Sequence, residues 1–295
     1  MIEMTELPRR APEPIPAIHP LPEYRAEPDL KARYEDMKTV FQVPWMGVVT
    51  MAYAHYRGFY DALWVGLRPL CASAAFVEAF TGLRDFTEDA VAGLEPPPIA
   101  GRLAEAGYAR REIDDIRAMV EVFSHGNFPY VVVAAITRYL LEGGEMSAAT
   151  EAPAFAGRHA PEIEVPFLLM EAHHADPQTR AVYDDVKATL RLPFVNTDYR
   201  ALARWPSYFA MAWADLRPVA GTEAHEALAG EVHDRAVEAA RTLPNPGGLG
   251  PAALRAAAER DAPLAEVLEM CRLFQWLLPG LVTNVAFFRH QLKEF

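Results

Sequence analysis

The chain has 295 residues, of which 51% are apolar, so it can build a sizeable core and is not a disordered protein. Its 28 basic and 40 acidic side chains give a net charge of −12 at pH 7, which argues against binding to nucleic acid or to an anionic membrane. The two cysteines exclude a disulfide framework and fit a reducing compartment, so we predict a cytoplasmic location.

Residues 1–25 are predicted to form a proline-rich arm that is extended and lies on the body or is partly disordered. Prolines at positions 8, 12, 14, 16, 20 and 22 keep this stretch out of a helix interior. Its scattered charges are not the pattern of a secretory signal. No run reaches the roughly 18 apolar residues of a membrane span. The richest, residues 128–141, contains Arg138, so we expect no membrane partner.

Helical periodicity dominates the rest of the chain, and no segment alternates as a strand does. Asp176 and Pro177 have the residue types of an N-cap and a first helical position, and Pro206 is expected to kink or break its helix. The fold class is therefore predicted to be all-α, with five or six helices in each half. The further predicted helices cover residues 51–67, 76–91, 113–123, 130–141 and 201–216.

The sequence of the first half returns in the second half at an offset of 149 residues. Residues 34–38, Tyr-Glu-Asp-Met-Lys, match residues 183–187, Tyr-Asp-Asp-Val-Lys. With the same offset, Trp64 falls on Trp213 and the Leu-Arg-Pro triplet at 67–69 falls on 216–218. We predict two tandem helical repeats, residues 26–143 and 175–295, joined by a connector at 144–174. They are expected to form an intrachain pseudo-dimer with the site between them, and a further homodimer remains possible.

Positions at which one repeat has a reactive group and the other an inert one are candidates for chemistry. After a shared proline, the first repeat has Gly47-Val48-Val49 and the second has Asn196-Thr197-Asp198. A carboxylate has thus replaced Val49. One interpretation is that these polar residues cap the helix that follows. The other is that Asp198 is a general base, and the two interpretations are compatible.

A second difference lies before a later shared proline, where Asn127 falls on Leu277. After Gly126, an asparagine is typical of a turn or a cap. In a pseudo-twofold assembly, however, Asn127 and Asp198 could meet in one cavity, where one would hold a water molecule and the other would take its proton. Arg68 and Arg217 could bind a carboxylate by their charge. They occupy the same position of the two repeats, however, including the repeat that lacks the aspartate, which favours a structural role. The adjacent pair His173-His174 lacks the spacing of a helical metal motif, so we predict no metal.

The segment Leu-Pro-Phe-Val-Asn-Thr-Asp-Tyr-Arg at 192–200, supported by His-Gly-Asn-Phe-Pro at 125–129, resembles the group I 2-haloacid dehalogenases, an all-α family. The resemblance implies hydrolysis of 2-haloalkanoic acids to 2-hydroxyalkanoic acids with inversion, by a water that an aspartate activates directly and without a cofactor. Asp198 matches that aspartate, and Asn127 matches the asparagine that positions the water.

The same resemblance suggests a substrate-binding set. Trp45 matches an aromatic residue of the halide pocket, and Val48 stands where a second aromatic residue would be expected. Thr197 stands where a relative has serine, and Asn196 resembles the residue of D-selective members. Tyr199, in the same segment, completes the set: Trp45, Val48, Asn196, Thr197 and Tyr199.

Three hypotheses follow from the sequence. The first is a dehalogenase whose partner is a small 2-haloacid. The second keeps the water-activating pair but acts on, or binds, another small carboxylate. The third is a non-enzymatic helical scaffold, which we would favour if Asp198 and Asn127 were exposed and far apart.

Overall fold

The computed structural model describes residues 7–162 and 165–293, and this part of the chain contains α-helices and no β-strand. The predicted all-α class is confirmed. Three stretches lie outside the described residues: the first six residues of the predicted arm, residues 163–164 of the connector and residues 294–295 of the second repeat.

Six α-helices lie within the first predicted repeat. They are α1 (Pro28–Phe41), α2 (Val48–Tyr53), α3 (Arg57–Cys71), α4 (Ala74–Ala90), α5 (Ala100–Glu105) and α6 (Arg110–Leu141). Six more lie within the described part of the second repeat. They are α7 (Pro177–Leu190), α8 (Thr197–Leu202), α9 (Pro206–Leu216), α10 (Glu223–Thr242), α11 (Pro251–Asp261) and α12 (Leu264–Gln291).

The start of α7 is as predicted. The carboxylate of Asp176 accepts hydrogen bonds from the amides of Gln178 and Thr179, and Pro177 occupies the first helical position. This arrangement satisfies two amides that have no partner inside the helix. The Thr179 hydroxyl also donates to Asp176 Oδ2 at 2.7 Å, and this bond together with the amide bonds lowers the pKa of the Asp176 carboxyl.

Two predicted helix boundaries are wrong. The predicted helix at 51–67 is divided into α2 and α3. The second half has the corresponding break between α8 and α9, where Pro206 starts the next helix, but no proline marks the break in the first half. Conversely, the predicted helices at 113–123 and 130–141 are parts of one continuous helix, α6, which contains Pro129. Buried neighbours on both sides of Pro129 show that tertiary contacts keep the helix intact despite one missing amide donor.

The same three-residue arrangement occurs in both halves. Trp64 Nε1 and Arg68 Nε donate to Asp36 Oδ2 at 2.8 and 2.7 Å. At the positions 149 residues later, Trp213 Nε1 and Arg217 Nε both donate to Asp185 Oδ2, each at 2.7 Å. These bonds tie α1 to α3 and α7 to α9, which confirms the structural role predicted for Arg68 and Arg217.

Contacts divide the chain into two compact units, each built from three stretches. Unit 1 contains the chain up to Leu83, Gly126–Ala160 and Glu231–Pro279. Unit 2 contains Arg84–His125, Pro161–Gly230 and the chain from Gly280. Each unit therefore draws segments from both halves of the sequence.

In unit 1, α3 packs against α11, and the loop that precedes α11 brings its backbone close to the backbone of α3. A Cβ atom added to Gly247 would lie 2.0 Å from the carbonyl oxygen of Gly66, so no other residue fits there without a shift of the backbone. The described part of the N-terminal arm lies on the same unit. The amide of Leu21 donates to Met51 O at 3.0 Å, and Pro8 O accepts from Arg138 at 3.0 Å.

By length and composition, α6 is long and apolar enough to cross a bilayer, and it is the one such helix in the described ranges. Its most apolar window of 18 residues is 94% buried inside the protein. Burial of this kind is typical of the central helix of a helical core.

Candidate functional site

Asp198 is held in unit 2 at the second position of α8, and its exposed fraction is 2%. Asn196 occupies the N-cap position of α8, as the capping interpretation predicts, but its side chain makes no capping hydrogen bond. The counterpart of Asp198 in α2 is Val49, which is buried to the same extent. The structure thus places a carboxylate at a position that suits an apolar side chain in the other half.

Asn196 brings a second polar group to the start of α8. It is 4% exposed, and its Oδ1 finds no hydrogen-bond donor among the described residues. A buried amide oxygen without a donor costs about 1–3 kcal/mol of stability. Such a group calls for an explanation, and a catalytic role or a bound water molecule is one.

Thr197 is also buried, and its hydroxyl is linked to a charged pair. Arg200 Nη2 donates to Thr197 Oγ1 at 3.3 Å, while Arg200 Nη1 donates to Glu171 Oε1 at 2.7 Å. Because Thr197 Oγ1 accepts from the guanidinium, its own proton remains available for donation.

Tyr199 lies in an aromatic and polar core of unit 2. Its ring packs against Phe209 and Phe288, with centroids 6.1 and 6.4 Å apart. Its hydroxyl accepts a hydrogen bond of 3.0 Å from Nδ2 of Asn284 in α12. Burial raises the pKa of the phenol, the bond from Asn284 lowers it, and the negative charge of Asp198 raises it further.

Asn284 is itself held by His225 of α10, whose Nε2 lies 2.8 Å from Asn284 Oδ1. The amide of Gly221 donates to the other ring nitrogen, Nδ1, at 3.3 Å. Asn284 and His225 are 1% and 2% exposed. Neither was predicted from the sequence. The repeat comparison could have found them. His225 corresponds to Phe76 at the offset of 149, and Asn284 corresponds to Ala134 at the offset of 150 that also relates Leu277 to Asn127.

Trp45 and Asn127 belong to unit 1. A Cβ atom on Gly126 would lie only 2.4 Å from Cη2 of the Trp45 indole, so the indole ring lies directly against α6 beside Asn127. Asn127 is 4% exposed and sits inside α6. The interpretation of Asn127 as a turn or cap residue is therefore wrong.

The loop that carries Trp45 is fixed by Tyr130, the residue one turn along α6 from Gly126. The Tyr130 hydroxyl donates to Trp45 O at 3.0 Å. The Tyr130 ring also fills the space above Gly47, where a Cβ atom would lie 3.0 Å from it. Val48, the first residue of α2, is half-buried.

The predicted site residues therefore form two groups. Unit 1 brings the Trp45 indole to the segment of α6 that holds Asn127, while Asn196, Thr197, Asp198 and Tyr199 are consecutive in unit 2. A shared site for Asp198 and Asn127 stays a prediction. Within residues 7–162 and 165–293, no cluster of three or more His, Cys, Asp or Glu side chains has the arrangement of a metal site.

The chain is similar to known enzymes over most of its length. It is 49% identical to the (R)-2-haloacid dehalogenase of Rhizobium sp. (strain NHG3) over 83% of this chain and 96% of that protein. It is 37% identical to the (R)-2-haloacid dehalogenase of Pseudomonas putida over 97% of this chain and 96% of that protein. No family model matches the sequence.

Solved structures agree with these relatives. The complex of D-2-haloacid dehalogenase with L-LA has a TM-score of 0.84 and 35% identity, and the match covers 97% of this chain and 99% of that one. A mutant of D-2-haloacid dehalogenase in complex with D-2-CPA has a TM-score of 0.82 and 34% identity, with the same coverage.

Proposed function

Because the chain belongs to the all-α group I 2-haloacid dehalogenases, we propose that it hydrolyses D-2-haloalkanoic acids to L-2-hydroxyalkanoic acids, with Asp198 as the general base. The observation that carries this proposal is the buried carboxylate of Asp198 in a chain 49% identical to an (R)-2-haloacid dehalogenase. The scaffold hypothesis is set aside, since the relatives are enzymes.

The reaction is a single displacement at carbon 2. A water oxygen forms a bond to this carbon while the bond to the halogen breaks, and the halide leaves with the electron pair. The water proton passes to the Asp198 carboxylate, so no ester forms on the enzyme. Attack opposite the halogen inverts the carbon. General-base assistance of this kind is typically worth about 10²–10⁴ in rate.

The remaining predicted residues have separate tasks in this proposal. Asn127 holds the water against Asp198, and alignment of the water with carbon 2 adds to the rate. The Trp45 indole N–H and the Thr197 hydroxyl face the halide, while Val48 and Tyr199 complete the pocket wall. Asn196 crowds one approach to the chiral carbon. A few atoms of crowding discriminate by about 1–3 kcal/mol, which is enough for a D preference.

We also infer that the two halves are copies of one helical unit. The matching Asp-Trp-Arg arrangements support this inference, and a second pair of matching hydrogen bonds, made by tyrosine hydroxyls, supports it too. Tyr34 Oη donates to Leu21 O at 2.9 Å, and Tyr183 Oη donates to Met170 O at 2.7 Å. These acceptors precede the predicted repeats, so the copies begin earlier than residues 26 and 175. The cytoplasmic location and the homodimer stay predictions.

The test is halide release from D- and L-2-chloropropanoate by the parent and by Asp198→Asn and Asn127→Ala. We expect turnover of the D enantiomer, a loss of about 10²–10⁴ in kcat for Asp198→Asn, and a smaller loss for Asn127→Ala. Asp185→Asn is the matched control, because Asp185 is also an aspartate of unit 2 but bonds Trp213 and Arg217.

Undiminished halide release by the Asp198→Asn enzyme would refute the assignment of the base. A parent enzyme that turns over neither enantiomer, while it binds 2-hydroxy acids, would favour the second hypothesis, a protein for another small carboxylate.

A further inference from the structure

The bonds around Tyr199 have a fixed direction, which the amide of Gly221 sets. A backbone N–H can only donate, so His225 Nδ1 is the acceptor and the ring proton lies on Nε2. The Nε2–H donates to Asn284 Oδ1, which leaves the Nδ2 group of Asn284 to donate to Tyr199. Oε1 of Glu226 is 3.6 Å from Nδ1, too far for a hydrogen bond that would reverse this order.

This direction leaves Tyr199 with an unused donor. Its oxygen accepts from Asn284, so its single proton must point elsewhere, and no acceptor for that proton is found among the described residues. The side chain is 0% exposed, so bulk water does not supply the acceptor. The phenol proton is therefore free to be donated to a ligand.

The network is confined to the half of the chain that carries the aspartate. At the corresponding positions of the first half, Thr50 replaces Tyr199, Phe76 replaces His225 and Ala134 replaces Asn284. Thr50 bonds only locally, to Gly47 O at 2.9 Å. A network needed for folding alone would be expected in both halves, as the Asp-Trp-Arg arrangement is.

We propose that Asn284 and His225 are positioning residues that orient the Tyr199 phenol as a hydrogen-bond donor to the anionic part of the substrate, beside Asp198. The proposal rests on the proposed function. A 2-haloacid offers two anions to such a donor, its carboxylate and the departing halide, and both only accept hydrogen bonds. Burial and, to a smaller extent, the negative charge of Asp198 raise the pKa of the phenol, so it stays protonated, as a donor must be.

The first variant is Tyr199→Phe, which keeps the ring contacts with Phe209 and Phe288 and removes only the hydroxyl. We expect kcat/KM for D-2-chloropropanoate to fall about tenfold to a hundredfold, the value of one hydrogen bond to a charged acceptor. The control is Tyr208→Phe, because Tyr208 is a buried tyrosine of unit 2 whose hydroxyl makes no hydrogen bond to the described residues. It should retain the parent kcat/KM.

The second variant, Asn284→Asp, reverses the direction at nearly constant shape. A carboxylate there accepts from both His225 and Tyr199, so the phenol proton turns away from the substrate while every bond of the network is kept. We expect the loss seen with Tyr199→Phe and no further loss in the double variant. If Asn284→Asp fails to fold, Tyr199→Phe carries the test.

Two binding measurements identify the anion. Weaker binding of L-2-hydroxypropanoate to Tyr199→Phe identifies the substrate carboxylate as the acceptor. Weaker inhibition by chloride, with a larger loss of kcat for chloro than for bromo substrates, identifies the halide. A parent kcat/KM in Tyr199→Phe, with the parent affinity for both ligands, overturns the proposal. An additional loss in the double variant would also overturn it, since Asn284→Asp would then act through its charge.

These outcomes are distinct from failure of the proposed function. That function fails if the parent enzyme itself does not release halide, whereas the network fails only if an active parent and Tyr199→Phe behave alike. Equal melting temperatures of Tyr199→Phe and Tyr208→Phe would assign any difference in kcat/KM to the site.

Discussion

Substitution of Gly126 by alanine tests the contact between α6 and the Trp45 indole. The new Cβ would lie 2.4 Å from Trp45 Cη2 and 2.8 Å from Val43 Cγ1, whereas ordinary contacts begin at 3.4 Å. The edge of the ring must therefore move by 3.4 − 2.4 = 1.0 Å or more. Overpacking of this kind costs about 1–3 kcal/mol, while alanine gains about 1 kcal/mol over glycine in a helix.

The net expectation is a loss of about 0–2 kcal/mol in the free energy of unfolding, measured by urea denaturation. The matched control is Gly82→Ala in α4, where a Cβ meets nothing within 4 Å. That substitution should stabilise the protein by about 0.5–1 kcal/mol through helix propensity alone.

The larger effect is expected on catalysis. Because the Trp45 indole is proposed to face the halide beside Asn127, a displacement of about 1 Å should lower kcat/KM by up to about a hundredfold. Trp45→Phe in the Gly126→Ala background shortens the ring and should recover part of the lost stability. Equal stability of Gly126→Ala and Gly82→Ala, with unchanged kcat/KM, would refute both the contact and its role.

Two further predictions concern stability and its dependence on pH. Replacing Asp36 or Asp185 with asparagine should lower the free energy of unfolding by about 1 kcal/mol, equally in both halves and with little loss of activity. The hydrogen bond from arginine lowers the pKa of both carboxyls, so this stability is present above the ordinary value of 3.8 and is lost as the pH falls through the folded-state pKa. Burial lowers the pKa of His233, whose Nε2 lies 2.8 Å from Nε2 of Gln275. As the pH falls, His233 therefore takes up a proton in the unfolded chain before it does so in the folded protein, and the free energy of unfolding should fall below a pH of about 6.5. The midpoints of urea denaturation at pH 7.5 and 5.5 would measure this change. His233→Gln should flatten that dependence, and an unchanged slope would contradict it.

Local patterns in the sequence were sufficient to predict the helical class and the capped start of α7. Asp176 and Pro177 act through the first turn of α7, and such short-range chemistry is written in adjacent residues. The continuity of α6 through Pro129 could not be predicted in this way. It depends on buried contacts with residues far away in the sequence, which override the local cost of the proline.

The candidate site shows the same division. Asp198 was found by comparing the short motifs that follow a shared proline in the two halves, where it takes the place of Val49. The bonds from Asn284 and His225 to Tyr199 join residues separated by up to 85 positions, so the motif around Asp198 does not contain them. A comparison of the two halves extended to their later helices would have been needed to find them. Asn196 was predicted correctly as an N-cap residue, although its side chain forms no capping bond. The turn or cap interpretation of Asn127 was wrong because α6 continues through that position.

The way in which each unit is assembled has a consequence for the history of the gene. A chain cut in the connector would yield two fragments, and neither fragment would contain all the segments of unit 1 or of unit 2. If the gene arose by duplication, its single-copy ancestor would have completed its core only with helices from a second molecule. Fusion of the two copies would then have converted an association that depends on concentration into a folding reaction of one polypeptide. After such a fusion the two halves would have been free to diverge, one toward Asp198 and the other toward Asn127.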